Sequence, residues 1–230
     1  MRNNQPVTQR ERPLHDEHFL ISRTDLKGRI TYANPAFIEV SGFSQEELIG
    51  APMRETFAEH LGPLIVEVPP VYGAADPEAF CDAVERFLEQ APPDLDYTFE
   101  IRDARLFTPR YLAILRDAGA SHVFNLWSRM PTPGAQLDRV ERVLGSGWVG
   151  TPMVLRLMIP PGKRYGDLAA AFVPFDRMQA PQPQMRDDVV RLVRAARAAG
   201  TESWVIVNNK AEGSSPLTVA ALAERLTDSL

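Results

Sequence analysis

The sequence predicts an α/β chain in which five strand–helix units follow a β-hairpin and two short helices. Three observations predict it. Five short apolar, β-prone runs, each closed by polar residues or proline, are spread over residues 64–209. A stretch of helical periodicity follows each run. Proline and glycine punctuate the joins. Strands separated by helices pair in parallel through right-handed crossovers. In such sheets the carboxyl ends of the strands build the site.

The elements follow in order. Residues 1–14 are polar and expected to be disordered. Residues 19–23 read as a strand, residues 25–28 as a turn with Gly28 suited to positive φ, and residues 29–33 as the returning strand. Asn34 can cap a short helix whose first turn accepts Pro35. Phe37, Val40 and Phe43 supply its apolar face. Ser44-Gln-Glu-Glu47 is a capping box that opens a second short helix ending at Gly50. A helix is expected over residues 54–61. The parallel part begins with a strand over 64–68, stopped by Pro69-Pro70, and a helix over 77–90 with Phe80, Val84, Phe87 and Leu88 on one face. Strand 97–102 precedes helix 109–118, which Gly119 closes. Strand 121–127 precedes helix 136–144. Strand 153–158 leads into a long polar loop, 159–184, and helix 186–199. Strand 203–209 and helix 216–227 complete the five units.

Composition narrows the function classes. The chain has 230 residues with a net charge of −5, which supplies no basic field for nucleic acid. No apolar run approaches the ~20 residues that span a bilayer, and residues 1–13 carry no apolar signal core, so a cytoplasmic protein without membrane contact is expected. Cys81 is the single cysteine and reads as a small buried apolar residue. The four histidines have no partners at metal-binding spacing, so no metal site is expected.

The run Thr24-Asp-Leu-Lys-Gly-Arg-Ile-Thr-Tyr-Ala-Asn-Pro-Ala-Phe37, continued by Ser41-Gly-Phe-Ser-Gln-Glu-Glu-Leu-Ile-Gly50, resembles the first half of a PAS sensor domain, in particular that of aerotaxis receptors. The resemblance spans about residues 5–53 and implies sensory ancestry. Tyr32 and Asn34 match PAS positions that shape turns and the helix start. The later part of such a domain, which holds much of the flavin pocket in the aerotaxis family, has no counterpart, so no cofactor is assigned.

Further along, Leu61-Gly-Pro-Leu-Ile-Val-Glu-Val-Pro-Pro70, Tyr97-Thr-Phe-Glu-Ile-Arg102, Val154-Leu-Arg-Leu157 with Tyr165, and Val207-Asn-Asn-Lys-Ala-Glu-Gly213 resemble the YecE-like proteins, a β/α-barrel-like family of unknown function. This resemblance covers about residues 54–230 and fits the later two-thirds of that family's domain. The family's Gly-Ser-Gly-Trp-like opening strands are absent. Glu67 stands where the family usually has glutamine, and Met158 where it usually has a His-Gly pair. A complete barrel needs about eight strand–helix units, so the expected fold is an incomplete parallel β/α barrel over 54–230, preceded by a partial PAS-like module over 15–53. Free sheet edges invite pairing, and self-association is expected.

Several residues could carry chemistry. Glu100 and Arg102 lie two apart on one strand and point to the same side. Glu100 reads as an acid or base, with Arg102 and Arg156 holding an anionic group, or else as one end of a structural salt bridge. Glu67 would give a second carboxylate at the same end, a pair suited to hydrolytic work on a sugar. Asn208 and Asn209 end the last strand and either bind hydroxyls or phosphate or cap the turn. Lys163, Arg164 and Tyr165 form an anion-binding lid or a solvated loop. Three functions remain open: a PAS-type sensory protein with an accessory barrel domain, a binding protein or hydrolase for a small polar or anionic ligand, and a recombined product without defined activity.

Overall fold

The computed structural model describes residues 21–25, 29–51, 61–70 and 73–227. The N-terminal tail, the turn at 26–28 and, but for Leu61, the helix expected over 54–61 lie outside them. The chain divides into two compact units, Met1–Gly62 with Arg86–Leu95, and Pro63–Glu85 with Asp96–Leu230.

In the smaller unit β1 (Ser22–Thr24) and β2 (Ile30–Ala33) pair antiparallel, as the hairpin pattern requires. Helix α1 (Pro35–Ser41) starts because the Asn34 side chain accepts from Phe37 N at 3.0 Å. The same oxygen accepts from Ile21 N at 3.0 Å and so ties the helix start to the hairpin. Helix α2 (Gln45–Leu48) opens with the expected capping box: Glu47 N donates to Ser44 Oγ at 3.2 Å, and Ser44 N donates to Glu47 Oε2 at 2.8 Å. Ile30, Ala33 and Leu48 are buried, and Phe37, Ile38 and Phe43 pack on them.

The larger unit is a curled half-barrel of five parallel strands: β3 (Leu64–Glu67), β4 (Tyr97–Glu100), β5 (Ser121–Leu126), β6 (Met153–Leu157) and β7 (Ser203–Val207), in that spatial order. Each neighbour is the next strand in sequence, because each crossover is a helix. These are α3 (Pro77–Gln90), α4 (Pro109–Asp117), α5 (Pro133–Leu144), and α6 (Tyr165–Phe172) with α7 (Pro183–Ala198). Helix α8 (Ser215–Thr227) follows β7. Thr108 and Thr132 cap α4 and α5, each accepting from the third backbone N–H of its helix. Val123, Phe124, Leu155 and Leu157 are fully buried in the central strands. Cys81 is buried too; desolvation pushes its thiol above the usual range, and its Sγ lies 3.7 Å from Thr108 Oγ1.

Two expectations need correction. Residues 159–184 are not one loop: Leu168-Ala-Ala-Ala-Phe172 is a run of helix formers, and it carries α6 once Pro160-Pro-Gly162 has turned the chain. Helices α5 and α7 each begin three residues before the expected start, because Pro133 and Pro183 sit inside the first turn, where a missing N–H costs nothing.

The layer between sheet and helices holds a neutral polar network. Gln136 Nε2 donates to the carbonyls of Asn125 and Pro131, both at 2.7 Å, so its Oε1 is the acceptor. That oxygen takes Asn125 N at 3.1 Å and His122 Nε2 at 3.2 Å. His122 therefore carries its proton on Nε2, and Nδ1 faces the Tyr111 hydroxyl at 3.2 Å. Tyr111, His122, Asn125 and Gln136 are all fully buried. Desolvation lowers the His122 pKa to about 4 against the hydrogen bond to Gln136, and burial lifts Tyr111 well above its ordinary range. Phe107 stacks on the imidazole at 4.6 Å. Helix α5 meets α7 closely at Gly134, where a Cβ would stand 2.4 Å from Asp188 Oδ1; the position has room for hydrogen alone.

Candidate functional site

Strand register decides which side chains meet. Glu67 is level with Glu100, Asn125 with Arg156, and Arg156 with Ile206. Level residues of neighbouring strands project to the same face of a sheet. Glu67 and Glu100 end β3 and β4, Arg102 lies two residues beyond β4, and Arg156 is the penultimate residue of β6. The sheet thus gathers four charges at the carboxyl end of its strands.

The four make one cluster. Glu100 is fully buried, and both of its oxygens face guanidiniums. Arg102 reaches it through Nε and Nη2, each at 3.4 Å, and Arg156 through Nη1 in a closer contact. Glu67 Oε2 bridges the same two arginines, 2.7 Å from Arg102 Nη2 and 3.1 Å from Arg156 Nη1. The side chains differ sharply in access: Glu67 is 45% exposed, Arg156 18% and Arg102 11%. Trp127 borders the cluster, with the Arg102 guanidinium carbon over its ring, 4.2 Å from the centroid. Arg156 Nε is buried without an acceptor. The arrangement is a pair of guanidiniums held from below by a buried carboxylate and met from the open side by an exposed one. Two such forks suit the paired oxygens of a carboxylate or phosphate.

Asn208 and Asn209 do something local. Asn208 Oδ1 accepts from Lys210 N at 3.0 Å and opens a 3-10 turn, Asn209–Ala211. Asn209 Oδ1 accepts from Ser215 N at 2.7 Å, at the first residue of α8. Tyr165 opens α6, and its half-exposed ring lies 4.2 Å from Lys210 Nζ.

A family model described as a protein of unknown function, DUF72, matches residues 41–230. The chain belongs to the DUF72 family. A crystal structure of a DUF72 family protein from Enterococcus faecalis V583 superposes with a TM-score of 0.50 at 17% identity, covering 84% of this chain and 64% of that one. A second crystal structure of a DUF72 family protein from the same organism gives a TM-score of 0.45 at 15% identity, covering 80% and 68%. The chain therefore spans under two-thirds of the first of these relatives. Residues 8–64 match the model of the PAS fold. Over 46 residues the chain is 50% identical to the aerotaxis receptor of Escherichia coli K12, a stretch that is 20% of this chain and 9% of that protein. Both expected resemblances, PAS at the N-terminus and an α/β domain of unknown function after it, are borne out.

Within the DUF72 domain, two residues at the strand ends escaped the sequence reading. Trp127 stacks on Arg102, and Lys210 sits between two rings. Trp127 had a signal, since it follows β5 directly. Lys210 had only its place after Asn208-Asn209. Among the described residues no group of three His, Cys, Asp or Glu could hold a metal ion. Among them, too, no helix is long and apolar enough to cross a membrane.

Proposed function

We propose that the DUF72 domain binds a small polar ligand through an anionic group, carboxylate or phosphate, seated on Arg102 and Arg156. The observation that carries this reading is Glu67: an exposed carboxylate already bridges both guanidiniums from the open side, so the seat accepts a carboxylate. A ligand anion takes that place by displacing Glu67. Glu100 is a positioning residue here, because it is buried beneath the forks with its oxygens turned to them. Trp127 fixes the plane of Arg102 and offers an apolar wall beside the seat.

Calorimetric titration with inorganic phosphate, acetate and sugar phosphates tests the reading. Arg102→Lys keeps the charge but loses the fork, and roughly tenfold weaker binding is expected. Wild-type protein that binds none of these anions would refute the proposal.

The PAS match supports a second element of the reading, a sensory role for the whole chain, since the N-terminal relative is an aerotaxis receptor. A flavin does not fit the described residues of that unit. Its apolar side chains pack on one another, and two strands form no concave sheet to enclose a ring system. The sensory role proposed for this unit is protein–protein signalling. Fusing residues 1–64 to the missing half of a receptor PAS domain and restoring its signalling would support it; an inert fusion that folds would remove it.

A further inference from the structure

Among the described residues, no counter-charge meets Lys210 at the strand ends. Lys210 lies in the 3-10 turn after β7 and is only 9% exposed. Its Nζ is 4.2 Å from the centroid of the Tyr165 ring and 5.4 Å from that of Phe175. Among the described residues no carboxylate lies within ion-pair distance of this ammonium and no acceptor takes a hydrogen bond from it. The nearest acid in sequence, Glu212, is fully buried and committed elsewhere: it takes Gln182 N at 2.6 Å and the Arg186 guanidinium at 2.9 Å. The stem is buried while Nζ keeps an opening to solvent, and the two ring faces cover the rest of the ammonium. Lys210 also stands where parallel α/β sheets place ligand contacts, just past the carboxyl end of a strand.

We infer that Lys210, flanked by Tyr165 and Phe175, is an anion seat of its own, taking one carboxylate or phosphate oxygen. It stands on the surroundings of Lys210 alone and is separate from the arginine pair. If both seats serve one ligand, that ligand carries two anionic groups. The half-exposed Tyr165 opens α6, so the helix borders the seat.

The sequence offers a direct readout, because it contains three lysines, Lys27, Lys163 and Lys210. In protein labelled with 13C at lysine Cε, three signals are expected. The Lys210 signal is displaced by the rings and identified by its loss in Lys210→Met. Titration with inorganic phosphate, and separately with acetate, is expected to move the Lys210 signal saturably while Lys27 and Lys163 drift only with ionic strength. Saturation by phosphate alone assigns the seat to phosphate, and by acetate to carboxylate. A Lys210 signal that drifts no more than the other two would overturn the inference. The Nε–H signals of Arg102 and Arg156, followed in the same titration, report the arginine seat separately, so either seat can fail alone. A melting series adds a second check. Without added anion, Lys210→Met should melt no lower than wild type, because no counter-charge is lost; a clear drop would mean that the ammonium is a structural clamp and that no seat exists.

Discussion

Two of the buried polar groups in the DUF72 domain are built on opposite terms. Behind the sheet, Tyr111, His122 and Gln136 are neutral, and each hydrogen-bonds within the protein. At the strand ends, Glu67, Glu100, Arg102 and Arg156 are charged and partly open, and they leave Arg156 Nε unsatisfied. A network that is complete within the chain asks nothing of a ligand; its yield is a specified core. A charged cluster with a donor left over and an exposed member is arranged for exchange. The contrast separates polar burial that supports the fold from polar burial that, on the proposed reading, serves a site.

The largest test removes Arg156. Arg156→Ala leaves the buried Glu100 with Arg102 alone, and a loss of about 3–5 kcal/mol in urea denaturation is expected. Exchanging Glu100 and Arg156 together for leucines should recover most of it, since no charge then lies buried unpaired. A double variant that recovers none of the loss would place the cluster among structural networks and erase the contrast.

The second test addresses the neutral network through pH. His122 has a folded pKa of about 4, below the ordinary 6.5, so between these values the unfolded chain binds a proton that the folded chain refuses. Stability from this group is complete above pH 6.5 and is lost as pH falls toward 4, by roughly 3 kcal/mol. Melting curves of wild type should fall through that window, and His122→Gln should flatten the fall. A wild-type curve level from pH 6.5 to 4.5 would contradict a neutral, buried imidazole.

The smallest change concerns Glu67. Because it is exposed, Glu67→Gln should alter stability by under ~1 kcal/mol. It should tighten phosphate binding about fivefold by vacating the arginine forks, whereas the exposed Glu89→Gln, with the same change in net charge, should not.

Much of this was readable in the chain, for physical reasons that differ by element. Runs such as Met153-Val-Leu-Arg-Leu157 declare themselves as strands because both faces are buried. Glu100 and Arg102 could be paired in advance, since alternation puts them on one side of the strand. The meeting of Glu67 with Arg156 depends on sheet order across 89 residues, which spacing alone does not encode. Helix α6 was hidden because its N-cap residue, Arg164, makes no side-chain cap and so gives no start signal. The amides of Asn208 and Asn209 suited a ligand more than a turn by sequence; the structure shows their side-chain oxygens accepting from nearby backbone N–H groups.

The long reach between Glu67 and Arg156 also bears on how the chain folds. Closing so wide a loop brings no reward until β4, β5 and β6 have been laid down in order, and parallel pairing through helical crossovers is slow. Until β6 arrives, Glu100 has at most Arg102 to answer its charge. The cluster is thus complete only once β6 has joined the sheet, and the proposed anion binding would serve as a kinetic probe of that step.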